Sequence, residues 1–241
     1  MVVEDEVIVL RTLKYGDNKL VVHVFGRETG RTAIIAYGMK GGRKTPMARI
    51  TVPMAHLRVA IKDGKGEMGR LVRAEMVKAR PDIYTDDDKR AVALFLADIL
   101  WHSIGEQQGS SDLFDWLSRS LDLLDTTKHG VANIHLAIMW QLVGKLGFAP
   151  CMDGYEKGSR FDLMEGRFIT DRVSASTSSL EEAAWLYKVG RRITLANCHL
   201  IRLSGEERRR AMDRFIEYMS IHIPGFPREL ETLKVLRETY R

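Results

Sequence analysis

Cysteine is nearly absent from this chain of 241 residues, with only Cys151 and Cys198 present. Two thiols cannot build a disulfide framework or a four-thiolate zinc site, and they point to a reducing compartment. Long apolar runs are also missing; none approaches the ~18–20 residues that span a bilayer. The first residues, MVVEDEVIVL, carry acids where an export signal needs cations. A cytoplasmic protein is expected. Catalytic patterns are missing as well. No serine, cysteine or carboxylate pair sits in a nucleophile or acid/base motif, so no enzyme activity is expected. His129 and His135 flank a helix start, and Cys198-His199 lie together in an apolar stretch. Neither pair has metal-ligand spacing, and no metal or other cofactor is expected. Asp86, Asp87 and Asp88 could coordinate a divalent ion, but capping of a helix start explains them better. Gly64-Lys65-Gly66-Glu67-Met68-Gly69 matches G-x-G-x-x-G, yet the following Arg70–Val77 alternates like a strand. Dinucleotide binding needs a helix there, so these glycines are expected to make a hairpin turn.

What is present is charge, unevenly placed. Residues 1–80 hold 16 Lys and Arg against 8 Asp and Glu, a net +8, whereas residues 81–241 hold 21 against 24, a net −3. A basic first third predicts a polyanion partner. Its texture is β: alternation and turn residues predict strands over 6–13, 19–26, 31–38, 49–61 and 67–79. Five strands in so short a span, with no helix among them, predict a small closed barrel. Between the third and fourth, Gly38-Met39-Lys40-Gly41-Gly42-Arg43-Lys44-Thr45-Pro46 forms a Gly/Pro-punctuated loop, with no acid from Arg31 to Arg49. Lys14, Arg31, Lys40, Arg43, Lys44 and Arg49 are therefore candidate phosphate contacts, and Tyr37 a candidate for stacking a base. Ala33 and Ile35 are assigned to the barrel core. A solvated hairpin loop is the competing reading.

Pro81 begins a second regime. Acids at 86–88 start a helix, and Leu113, Leu117, Leu121 and Leu124 stripe another. Val131–Leu146 is apolar nearly all round, as at the centre of a bundle. Residues 151–177 are irregular, with a short hairpin near Phe161–Phe168. Ser179 with Glu182, and Ser204 with Glu207, are spaced as capping boxes. Glu229–Tyr240 is a short amphipathic helix. The expected organisation is α+β in two domains, a barrel over 1–80 and a helical bundle over 81–241. Arg209, Arg210 and Arg214 form a possible second basic contact, or a solvated helix face partnered by Glu206, Glu207 and Asp213.

The order of features resembles the bacterial RecO family of DNA repair proteins. The likeness runs through Tyr15-Gly16-Asp17-Asn18-Lys19-Leu20-Val21, Thr29-Gly30-Arg31, Tyr37-Gly38-Met39-Lys40 and Met68-Gly69-Arg70-Leu71-Val72-Arg73. It continues in Leu113-Phe114-Asp115-Trp116-Leu117 and Leu146-Gly147-Phe148-Ala149-Pro150. The resemblance implies an OB-fold barrel followed by a helical domain, in a non-catalytic, nucleoid-associated recombination mediator. It implies binding of single- and double-stranded DNA and annealing of complementary strands. It also implies work with RecR and the tail of single-strand DNA-binding protein to load RecA. Many relatives carry four zinc-binding cysteines after the Gly-Phe-Ala-Pro motif, and this chain lacks them. The insert near 151–177 is therefore expected to hold by packing of Phe161, Leu163, Phe168 and Ile169. The alternative readings are a helical adaptor whose basic barrel grips an acidic protein, and an enzyme acting on a nucleotide.

Overall fold

The computed structural model describes residues 1–16, 18–37, 51–62, 68–106 and 109–239. Two compact units emerge, one of Met1–Thr126 with Leu230–Arg241, the other of Thr127–Glu229.

The first unit is built on five strands: β1 (Val2–Lys14), β2 (Lys19–Gly26), β3 (Gly30–Tyr37), β4 (His56–Lys62) and β5 (Gly69–Lys78). They close into a barrel in the order β1-β2-β3-β5-β4, the OB-fold arrangement. Closure depends on the length of β1. Its first half pairs with β4 (Val2↔Lys62 to Ile8↔His56) and its second half with β2 (Val7↔Gly26 to Lys14↔Leu20). A bulge between Val9 and Arg11 bends the strand from one partner to the other. Parallel pairing of Ile34 and Ile35 with Gly69 and Arg70 shuts the remaining gap. Val7, Val9, Leu20, Val22, Val24, Ile34, Ala36, Leu57, Val59 and Leu71 fill the interior.

Two expectations need correction. Ala33 and Ile35 are not core residues: Ile34 and Ala36 point inward, and Ala33 and Ile35 lie on the outer face with Arg31 and Tyr37. Side chains alternate with period two, so a phase error of one residue exchanges the faces. The fourth strand begins at His56, not at 49. Residues 51–55 fold as a turn, with Met54 at φ 65 and Ala55 N donating to Val52 O (3.1 Å). Pro53 has no N–H for a ladder. This segment is tied to β1 instead, Met54 N donating to Val9 O (2.7 Å) and Thr12 Oγ1 to Thr51 O (2.6 Å).

The turn between β2 and β3 is held by a buried acid. Asp5 accepts from Thr29 N (3.0 Å), Thr29 Oγ1 (2.8 Å) and Glu28 N (3.3 Å), which lets Gly30 take its positive φ. Helices α1 (Pro81–Thr85), α2 (Asp87–Ser103) and α3 (Ser111–Thr126) follow. Asp86 caps α2, accepting from Lys89 N (3.0 Å). Phe114 of α3 packs on Phe25 and edge-on to His56, at centroid distances of 5.9 and 5.3 Å. Arg27 grips Asp115 with both guanidinium nitrogens (2.6 and 2.8 Å). The unit thus joins the barrel to its first helices, although the β texture stops near Lys78.

The second unit contains α4 (Val131–Lys145), a hairpin of β6 (Arg160–Asp162) and β7 (Arg167–Ile169), α5 (Leu180–Gly190), a 3-10 turn at Cys198–Leu200, and α6 (Gly205–His222). α4 is central, as its apolar sequence predicts: Ile134, Ala137, Ile138, Met139, Leu142 and Val143 are all buried. Both capping boxes form, at Ser179/Glu182 and Ser204/Glu207. In the irregular insert Phe161, Leu163, Phe168 and Ile169 are buried. Asp162 there accepts from Met164 N (2.8 Å) and Arg172 (3.0 Å). Burial raises its pKa, but Arg172 and the N–H donors outweigh that and hold it below the usual carboxylate range. A final helix, α7 (Glu231–Thr239), returns to the first unit, where Thr232 N donates to Asp98 of α2 (3.3 Å).

Candidate nucleic-acid interface

Register places the outward side chains of β2 and β3 in rows: Lys19 opposite Tyr37, Val21 opposite Ile35, His23 opposite Ala33, and Phe25 opposite Arg31. The rows differ in cover. At the Phe25 end Phe114 seals the face. In the next row Trp101 of α2 stands edge-on to His23 (4.5 Å), beneath Arg31 (4.4 Å) and Arg11 (5.0 Å). Burial, then the charges of Arg11 and Arg31, push the His23 pKa down.

At the Tyr37 end the described side chains are more exposed. Tyr37 and Tyr15 are 40% and 59% exposed. Lys19 Nζ lies 5.5 Å from the Tyr37 ring and 6.0 Å from the Tyr15 ring. Arg70, brought alongside β3 by the parallel pairing, sits 4.8 Å over Tyr37. Lys14 is exposed at the end of β1, where Tyr15 N donates to Lys19 O (3.0 Å). Two rings and three cations therefore share the mouth of the barrel.

The structure divides the residues expected from sequence. Lys14 and Tyr37 fall in this cluster. Arg31 does not. Its guanidinium donates to Trp101 O (3.2 Å) and Glu106 (3.3 Å), and its side chain is only 16% exposed. Lys40, Arg43, Lys44 and Arg49 lie outside the described residues. Of the second expected contact, Arg210 pairs with Glu206 and Arg214 with Glu182 and Glu217, while Arg209 is exposed. Sequence reasoning missed Lys19 and Arg70. Alternation could have found Lys19, which shares a face with His23. Arg70 needed the β3–β5 pairing, which no local pattern announces. Among the described residues no group of three or more His, Cys, Asp or Glu could hold a metal ion. No described helix is long and apolar enough to cross a membrane.

The closed five-stranded barrel with an aromatic and cationic end places the chain in the class of OB-fold proteins. Comparison with known proteins narrows the class. The family described as Recombination protein O matches in two parts, its N-terminal region at residues 1–80 and its C-terminal region at 85–231. The chain is 30% identical over 236 residues to DNA repair protein RecO of Bacteroides fragilis, covering 97% of each. It is 28% identical over 232 residues to DNA repair protein RecO of Porphyromonas gingivalis, covering 94% of this chain and 95% of that one. The chain belongs to the RecO family, the recombination mediators of DNA repair.

Proposed function

We propose that this protein binds single- and double-stranded DNA through the Tyr37 end of its barrel, anneals complementary strands, and helps RecA load with RecR onto strands coated by single-strand DNA-binding protein. The supporting observation is the Tyr15–Lys19–Tyr37–Arg70 cluster, beside the start of the basic segment that follows Tyr37. Rings stack bases of any sequence, and cations on the same surface hold the phosphates between them. Two strands neutralised on one basic surface repel each other less, which favours their pairing. No group in this reading breaks or makes a covalent bond.

Fluorescence anisotropy with a labelled oligothymidine, titrated over salt, tests the reading. Each phosphate contact contributes about 0.7 to the log–log salt slope on single strands. The Lys19→Ala/Arg70→Ala variant is expected to bind with a slope shallower by about 1.4. Tyr37→Ala is expected to cost ~1–3 kcal/mol, as for one lost base stack, with the slope unchanged. Wild-type affinity and slope in both variants would refute the site. Tighter binding of an oligoglutamate peptide than of DNA would favour an acidic protein partner instead.

A further inference from the structure

The helix expected to offer a second basic contact has its cations largely engaged. Arg210 and Arg214 are ion-paired, and Arg208 donates to Leu203 O (2.6 Å). A different set in the same unit lacks acidic partners, although Arg191 donates to Tyr187 Oη (2.8 Å). Lys188, Arg191 and Arg192 leave the end of α5, Arg202 follows the 3-10 turn, and all four are exposed. Among the described residues none of the four is ion-paired with an acid. They rim two adjoining open clefts of about 500 and 490 Å³, both of which include Lys188 and Arg192. Glu207 also lines the second cleft, but its carboxylate accepts from Ser204 N (2.6 Å) as part of the α6 cap.

Cations in a last helical turn offset the helix dipole, and that accounts for Lys188. It does not account for Arg192 or Arg202, which lie beyond the helix. Nor is the surrounding chain loose. Asn197 fastens the loop, accepting from Thr194 N (2.7 Å) and donating to Arg192 O (2.5 Å). The aromatic ring here is already occupied. Tyr155 stacks on Tyr187 at 4.2 Å and 16°, and Arg191 lies 5.5 Å over the same ring. Both faces of Tyr187 are thus taken, and the half-buried Trp185 lines the second cleft beside the cations, so what the surface chiefly offers is charge for phosphates. Guanidinium forks match phosphate oxygens in pairs, and a row of them follows a sugar–phosphate backbone without reading sequence.

We propose that Lys188, Arg191, Arg192 and Arg202 form a second phosphate contact, on which the unit Thr127–Glu229 holds a nucleic-acid strand separately from the strand at the barrel. The proposal rests on the barrel reading above, because two strands held by one chain is what annealing requires.

Native mass spectrometry of the full chain with an excess of oligothymidine counts strands per chain. Wild type is expected to carry two, and the Lys188→Ala/Arg192→Ala/Arg202→Ala variant one, its first affinity within about twofold of wild type. The matching Arg192→Lys/Arg202→Lys variant keeps the charge and is expected to carry two, which separates lost contacts from lost folding. Energy transfer between donor- and acceptor-labelled non-complementary strands should fall at least fivefold in the alanine variant and not in the lysine variant. Two strands on the alanine variant, or only one on wild type, would overturn the proposal. So would oligoglutamate displacing the second strand at lower concentration than oligothymidine, since it would assign the surface to a protein partner. Lys19→Ala/Arg70→Ala should lose the other strand. If that variant keeps both while the α5 variant loses one, the barrel reading fails and the second contact stands.

Discussion

His135, half-buried on α4, faces Arg208, and burial followed by that charge pushes its pKa down to about 4 from the ordinary 6.5. The unfolded chain therefore takes up a proton as pH falls through 6.5, while the folded chain resists until about 4. Stability from this residue is complete above 6.5 and is lost between those limits, at up to about 1.4 kcal/mol per pH unit. Urea titrations at pH 7, 6 and 5 should show His135→Leu losing less stability over that window than the native chain; equal losses would exclude the effect. Most of what matters at this scale was hidden in the linear text. Of the two partners of Arg214, Glu217 is three residues away and legible, whereas Glu182 lies 32 residues away and is not. Arg31 looked available because Trp101 and Glu106 reach it across 70 and 75 residues. Partnering of a charge is a tertiary property, and local spacing finds only pairs such as Arg210 with Glu206.

At the scale of elements, locality decided what could be read. The boxes at Ser179/Glu182 and Ser204/Glu207 each involve four consecutive residues, and both were legible. So were the barrel and the central place of α4, since alternation and an all-round apolar helix each have one economical packing. Two errors arose where a strand's phase or start depends on its neighbours. Arg31 and Tyr37 facing outward already implies the same of Ala33 and Ile35, so the β3 phase could have been read correctly. The late start of β4 could not, because Met54 at positive φ is held by its bonds to β1. Ser204→Ala is expected to cost 0.5–2 kcal/mol, typically ~1, in chemical denaturation, because it strips the cap from α6. A loss below the error of the fit would mean that water replaces the hydroxyl.

At the scale of the molecule, the charge division near residue 80 and the family match agree, whereas the compact units divide the chain at Thr126 and Leu230. No composition shift marks either point. The chain leaves the first unit, builds the second, and comes back for α7, where Leu230 is 1% exposed. Leu230→Ala is expected to cost 2–5 kcal/mol. Hydrogen exchange should place the loss in residues 81–126 and the barrel, with α4 and α6 protected as before; uniform loss across both units would contradict the division.

The return of α7 also sets an order of events during synthesis. A growing chain folds as it emerges, beginning with its first residues. The barrel strands and α1–α3 are released early, but the helix that completes their unit follows more than a hundred further residues. At elongation rates of roughly 5–20 residues per second, that leaves the first unit unfinished for about 5–20 s. During that interval the basic barrel is exposed on the ribosome, a particle rich in RNA, before its own structure is complete.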